Sequence, residues 1–224
     1  MYPRGRNTRD LGGWACNGGT VKYGMLVRGS EPNPVDKELM VDKIGIKTEV
    51  QLLPLYEQDE GYIKQSAWGI DWLGNETEKD SIYGIDSNPI LWKKILSGIF
   101  DSIIANKPVY FHCGIGADRT GIMAIMLEGI LGISQSDIDI DYELTNFAFG
   151  WQDLEGGIYR SRAYSTHPGL VNSIMNIPLK NGLSDTFENH CISFAISLGI
   201  PVSKINAFRT ACIDGTPSIV PEST

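Results

Sequence analysis

The sequence predicts an α/β domain built on a short central sheet, from three observations. Candidate strands cluster in the first half of the 224-residue chain, whereas the second half reads mainly as helices. A helix, a strand, a glycine-bearing loop and a second helix follow one another between positions 89 and 131. The composition, 42% hydrophobic and 21% charged, is that of a globular protein able to bury a sizeable core, and the length fits one domain spanning 1–224.

Each element has its own signal. Residues 14–16 and 20–22 flank Asn17-Gly18-Gly19, and Asn-Gly accepts the positive φ angles of a tight hairpin. A strand is expected over 24–27, then a polar, proline-bearing stretch over 30–34 that opens a short helix over 35–43. The next strand is expected over 47–53. Residues 56–87 are polar, acidic and dotted with glycine, which suggests a long excursion with some structure of its own. Pro89 suits the first position of a helix, and Leu91, Ile95, Ile99 and Ile103 recur every fourth residue to about Asn106. Val109-Tyr110-Phe111-His112 is a short β-rich run leading into a loop and an apolar helix over 120–131. Ser134 and Asp137 form a capping box for a helix running to about Phe147. Residues 150–178 read as a long surface connection or a lid, and helices are expected over 187–198 and 203–213.

The formal charge of −8 argues against general affinity for nucleic acid or an anionic membrane, so an anionic ligand must be drawn by a local site. No apolar run reaches the ~20 residues needed to cross a bilayer; the longest, 122–133, is interrupted by Glu128. The first six residues are basic but lack a following apolar stretch, so a soluble protein is expected, either cytoplasmic or exported with its signal removed. Cys16, Cys113, Cys191 and Cys212 are too scattered for a disulfide scaffold or a zinc site, and most are expected to be buried thiols.

One cysteine stands apart. In His112-Cys113-Gly114-Ile115-Gly116-Ala117-Asp118-Arg119-Thr120-Gly121, Cys113 lies between a strand and a helix N-terminus, with an arginine six positions on. Backbone N–H groups of such a loop can converge on an anion, and the helix adds the positive end of its dipole. The same field favours a nucleophilic thiolate at Cys113. Arg119 can make two parallel hydrogen bonds to phosphate oxygens and spread the charge of a transferring phosphoryl group. Gly114 and Gly116 leave room for close backbone approach, with Ile115 and Ala117 completing the cradle. Thr120 can donate its hydroxyl to the sulfur, and His112 is expected to orient the loop rather than act as a base.

His-Cys-x-x-Gly-x-Asp-Arg-Thr-Gly resembles the phosphate loop of bacterial tyrosine/serine phosphatases of the IphP type, within the cysteine-dependent phosphatase superfamily. Asn7-Thr8-Arg9-Asp10-Leu11-Gly12-Gly13 is similar to that family's N-terminal motif, Leu26-Val27-Arg28-Gly29-Ser30 to its next strand and turn, and the segment from Leu198 to Arg209 to its closing helices. The resemblance implies a cysteine phosphatase fold: a short, mostly parallel central sheet flanked by helices, with added helical lid segments. It also implies that the motif containing Asp10 joins the N-terminal strand to the phosphate loop by hydrogen bonds, with Asp10 as a supporting residue, and that Asp118 has a catalytic or loop-ordering role. Ala117 stands where the family commonly has lysine, which makes a phosphoinositide substrate less expected, and Gln51-Leu52-Leu53 replaces the family's Asp-Leu-Arg.

A leaving alkoxide or phenoxide needs a proton, usually from a carboxylic acid. Asp118 and Asp86 are the leading candidates, with Asp71 and Asp80 as others. The expected activity is hydrolysis of a phosphorylated protein, on tyrosine or with dual specificity, or of a small phosphate ester, with no cofactor or metal. A phosphate-reading module of weak catalytic power and a redox or arsenate-reducing enzyme are the alternatives.

Overall fold

The computed structural model describes residues 5, 7–53, 65–74, 82–148 and 163–222, the side chains of 163–168 excepted. Its centre is a five-stranded sheet. The strands are β1 (Arg9–Asp10), β4 (Leu26–Gly29), β5 (Thr48–Gln51), β6 (Asp71–Gly74) and β7 (Val109–His112), in the order β1-β4-β7-β5-β6. Strands β4, β7, β5 and β6 run parallel and β1 is antiparallel at the edge, so the expected α/β sheet is mostly parallel. Gly29, His112 and Gln51 share one register line, so the parallel strands end together at the edge where the loop after His112 begins. Ligands of open parallel sheets bind outside this carboxyl edge.

The pleat sorts the side chains of β7 between two cores. Val109 and Phe111 enter the large one, with Leu26, Val50 and residues of several helices, among them α1 (Pro89–Ile104), α2 (Asp118–Leu131), α5 (Phe187–Ser197) and α6 (Val202–Cys212). Tyr110 faces the other way, into a small cluster with Val27, Met40, Ile46 and Trp68. Almost all of α2 is buried, which explains why its sequence is apolar all round. Asn88 caps α1 by accepting from the N–H groups of Ile90 and Leu91, ahead of Pro89. Helix α3 (Gln135–Ala148) begins at the expected Ser134–Asp137 box, where the Asp137 N–H donates to Ser134 Oγ at 3.2 Å.

Three expectations change. The helix expected over 35–43 is a 3₁₀ turn (Pro34–Asp36) followed by a wide turn (Glu38–Lys43) in which the Ile44 N–H reaches back five residues to Leu39 O. The expected hairpin forms from β2 (Ala15–Cys16) and β3 (Gly19–Val21), and it gains a third strand, β8 (Ile213–Gly215), from the end of the chain. Residues 150–178 contain helix α4 (Ala163–Met175) rather than a plain connection, and 149–162 lie outside the described residues. Among the described residues no helix is long and apolar enough to cross a membrane.

Candidate active site

Strand β7 delivers the loop and α2 receives it. His112 and Cys113 leave the carboxyl edge of the sheet, and α2 starts at Asp118 after Ala117, a residue with no side chain able to cap. The helix N-terminus therefore presents its leading N–H groups and partial positive charge without a side-chain cap. Cys113 and Arg119 are both buried at its ends, 4% and 6% exposed.

The carbonyls of the loop are committed to the surrounding frame. Gly114 O accepts from the Glu31 N–H at 3.1 Å, and Gly116 O accepts from Asn7 Nδ2 at 2.7 Å and Arg28 Nη2 at 3.3 Å. Asn7 Nδ2 also lies 3.5 Å from Ile115 O. In a planar trans peptide the carbonyl and the following N–H point in opposite directions. Turning these three carbonyls toward the frame leaves the N–H groups of Ile115, Gly116 and Ala117 on the other side, an arrangement suited to an oxyanion.

Gly116 is the glycine this geometry requires. Its φ of +72° is left-handed, and a Cβ there would stand 2.5 Å from the Gly29 carbonyl. Gly114 is different, since a Cβ would meet only Leu53, at 3.9 Å. Close backbone packing, expected at both, applies at Gly116.

His112 is fully buried, with Nε2 3.2 Å from Glu49 Oε1 and Nδ1 3.4 Å from the Cys113 carbonyl, so both ring nitrogens are engaged in holding the loop. Glu49 was not anticipated; an acidic residue inside a run of strand-forming residues was its signal. Glu49 also accepts from Ser66 Oγ and the Ala67 N–H.

Two supporting residues act differently from expectation. Asp10 does not reach the loop: its carboxylate accepts from the N–H groups of Gly12 at 2.8 Å and Gly24 at 2.6 Å, bracing the hairpin. Successive residues of a strand point to opposite faces, and on β1 Arg9 has the loop side. Thr120 makes no hydrogen bond to the Cys113 sulfur; on the first turn of α2 its hydroxyl is buried without a partner among the described residues.

Asp86 and Asp118 line one cavity of about 460 Å³, walled by Tyr83, Ile85, Ile122, Tyr142 and Leu170. The Tyr83 ring lies 4.2 Å from the Arg119 guanidinium carbon, a cation–π contact that ties this cavity to the loop arginine. Asp71 is elsewhere: it opens β6 at the amino edge of the sheet and pairs with Lys107 at 2.7 Å. Asp80 lies outside the described residues.

Behind the loop lies a charged cluster that sequence reasoning missed, although Arg9 and Arg28 sit within the quoted motifs. Asp141 of α3 receives Arg28 Nη1 on one oxygen and Arg9 Nε, at 2.7 Å, on the other. Arg9 also donates to the Asp141 carbonyl at 2.8 Å and to Asn7 Oδ1. Burial pushes the Asp141 carboxyl up, but Arg28 and then Arg9 outweigh it and hold the group below the usual carboxylate range. Glu128, wholly buried with no hydrogen-bond partner for either oxygen among the described residues, is pushed well above that range by burial and by Asp141, against the pull of Arg28 and Arg9.

The four cysteines are free thiols, three of them buried and Cys16 partly exposed. Burial pushes the Cys191 and Cys212 thiols up, which makes them poor nucleophiles.

Residues 86–176, less than half of the chain, match the sequence model of a tyrosine phosphatase family, a likeness in line with the resemblance of the loop motif. A curated protein of Cupriavidus necator, named as a tyrosine-protein phosphatase, is 26% identical over 170 residues, 62% of this chain and 60% of the length of that protein. Among solved structures, the core catalytic domain of the PP-IP phosphatase SIW14 from S. cerevisiae aligns over 65% of this chain and 78% of its own, at 19% identity and a TM-score of 0.44. TpbA of P. aeruginosa aligns over 54% and 71%, at 18% identity and a TM-score of 0.41.

Proposed function

We propose, for a chain whose residues 86–176 match a tyrosine phosphatase family, that it is a phosphate monoester hydrolase working through a cysteinyl-phosphate intermediate. The Cys113 thiolate attacks phosphorus and the ester P–O bond breaks, with Asp118 or Asp86 giving its proton to the departing oxygen. Water then attacks phosphorus, the P–S bond breaks, and inorganic phosphate leaves with the thiolate restored. Arg119 and the N–H groups of residues 114–119 bind the transferring oxygens. The observation that carries this reading is the commitment of the Gly114, Ile115 and Gly116 carbonyls to the frame, which turns the intervening amides toward an anion beside Cys113.

The substrate is a phosphorylated protein, on tyrosine or with dual specificity. Apolar and aromatic walls beside the loop suit an aryl leaving group, and two carboxylates on the same walls disfavour a highly anionic one. Small aryl phosphates fit the same description. Cys113→Ser is expected to abolish hydrolysis of p-nitrophenyl phosphate while orthovanadate still binds; unaltered turnover would exclude the nucleophile.

A further inference from the structure

The cluster behind the loop has no role in the mechanism above, yet it ends on a loop carbonyl. Arg28 is 0% exposed and Asp141 1%, and Arg28 spends its two terminal nitrogens on different targets: Nη1 on the Asp141 carboxylate, Nη2 on Gly116 O. Asn7 supplies a second donor to the same oxygen, and Asn7 is itself placed by Arg9, which is held by Asp141 and by Thr145 Oγ1 at 3.2 Å. One guanidinium and one amide thus converge on the single loop residue with a left-handed backbone, with a carboxylate and a second guanidinium holding them from behind. Helix α3, strand β4 and the N-terminal segment, far apart in sequence, are joined there.

A merely structural ion pair would have no need to reach that oxygen. A planar fork held by Asp141 fixes where the Gly116 carbonyl points, and with it the opposed N–H of Ala117, the last amide before α2. The cluster also places two cations against one closely paired carboxylate directly beneath an anion site, adding to the positive field of the helix end.

We propose that Arg28 and Asn7, held by Asp141 and Arg9, are positioning residues that aim the phosphate-loop amides by anchoring the Gly116 carbonyl. This rests on the phosphatase reading of Cys113. A misplacement of about 1 Å at a reacting site costs about 100-fold in rate, and that is the loss expected in kcat for Arg28→Met, with KM changed far less.

The test uses the full chain and three variants, Arg28→Met, Asn7→Ala and Cys113→Ser, each checked for folding by circular dichroism and thermal unfolding. Turnover of p-nitrophenyl phosphate, orthovanadate affinity and the pH dependence of Cys113 alkylation by iodoacetate are measured together. Folded Arg28→Met and Asn7→Ala proteins are expected to lose kcat and vanadate affinity and to need higher pH for half-maximal alkylation. Should Arg28→Met not fold, Asn7→Ala decides alone, because it removes the 2.7 Å bond to Gly116 O and leaves the Arg28–Asp141 pair in place. Wild-type kcat and alkylation profiles in folded variants, with Cys113→Ser inactive, would overturn the positioning role alone. Undiminished turnover in Cys113→Ser would overturn the nucleophile and this inference with it.

Discussion

Arg28 and Asp141 form an ion pair sealed from solvent on both sides, and its arginine also touches the carbonyl of Gly116 in the loop after Cys113. Removing one partner of such a pair strands the other charge. Asp141→Ala is therefore expected to cost about 3–5 kcal/mol of folding stability, read by urea unfolding at neutral pH. The contribution of this carboxylate has a sign in pH: its native value is depressed, so the stabilisation is present above the ordinary aspartate range and is lost as pH falls through the lowered value. Wild type should accordingly lose its advantage over Asp141→Asn at strongly acid pH; a constant difference across the range would contradict the buried pair.

Glu128 should behave in the opposite sense. Its native carboxyl holds a proton that the unfolded chain releases, so wild-type stability falls as pH rises from the ordinary glutamate value toward the raised one. Glu128→Gln keeps the shape without the acid. Its Tm relative to wild type is expected to climb with pH, each kcal/mol gained being worth about 2–4 °C in a chain of this size. Parallel curves for the two proteins would show that Glu128 ionises freely in the fold.

The two loop glycines should part company on substitution. Gly116→Ala puts a Cβ 2.5 Å from the Gly29 carbonyl at φ +72° and is expected to lower kcat by about 100-fold or more through displacement of the loop. Gly114→Ala, with its nearest contact at 3.9 Å, should keep kcat within a few-fold of wild type, as an order-of-magnitude expectation for a site without a clash. Equal losses would mean that the loop tolerates both or neither.

Much of this architecture was legible in the sequence because local signals and the tertiary outcome agree. Pro89 behind Asn88, the four-residue spacing of Leu91, Ile95, Ile99 and Ile103, and the Ser134–Asp137 box each place an element where the structure has it. Signals that depend on distant partners were not legible. Strand β8 has no signal of its own in the sequence, and its first residue, Ile213, reads as the end of a helix, because its reason for being extended is β3, almost two hundred residues earlier. The roles of Asp10 and Arg9 were separated only by the pleat of a two-residue strand, and Asp141 appears in sequence as one more acidic residue of an amphipathic helix until Arg9 and Arg28 are folded against it. The cavity joining Asp86 to Asp118 has the same origin, since the two residues lie on either side of a helix and a strand in the chain.

Among the described residues, sharing that cavity makes Asp118 and Asp86 the two carboxylates to compare as proton donor. A general acid contributes about 10²–10⁴-fold, and less for good leaving groups, so Asp118→Asn and Asp86→Asn should be compared on p-nitrophenyl and phenyl phosphate. The variant that removes the acid is expected to lose activity mainly on phenyl phosphate and to flatten the alkaline arm of the pH–rate profile, because only the protonated carboxyl donates. Two unchanged profiles would exclude a donor in this cavity.

The covalent step is the most exposed part of the account. Rapid acid quench of the full chain during turnover of p-nitrophenyl phosphate, followed by peptide mass spectrometry, should find one phosphoryl group on Cys113. It should disappear in Cys113→Ser and persist longer where the second step is slowed. Turnover without any phosphoryl group on Cys113, or with the label on another residue, would contradict it.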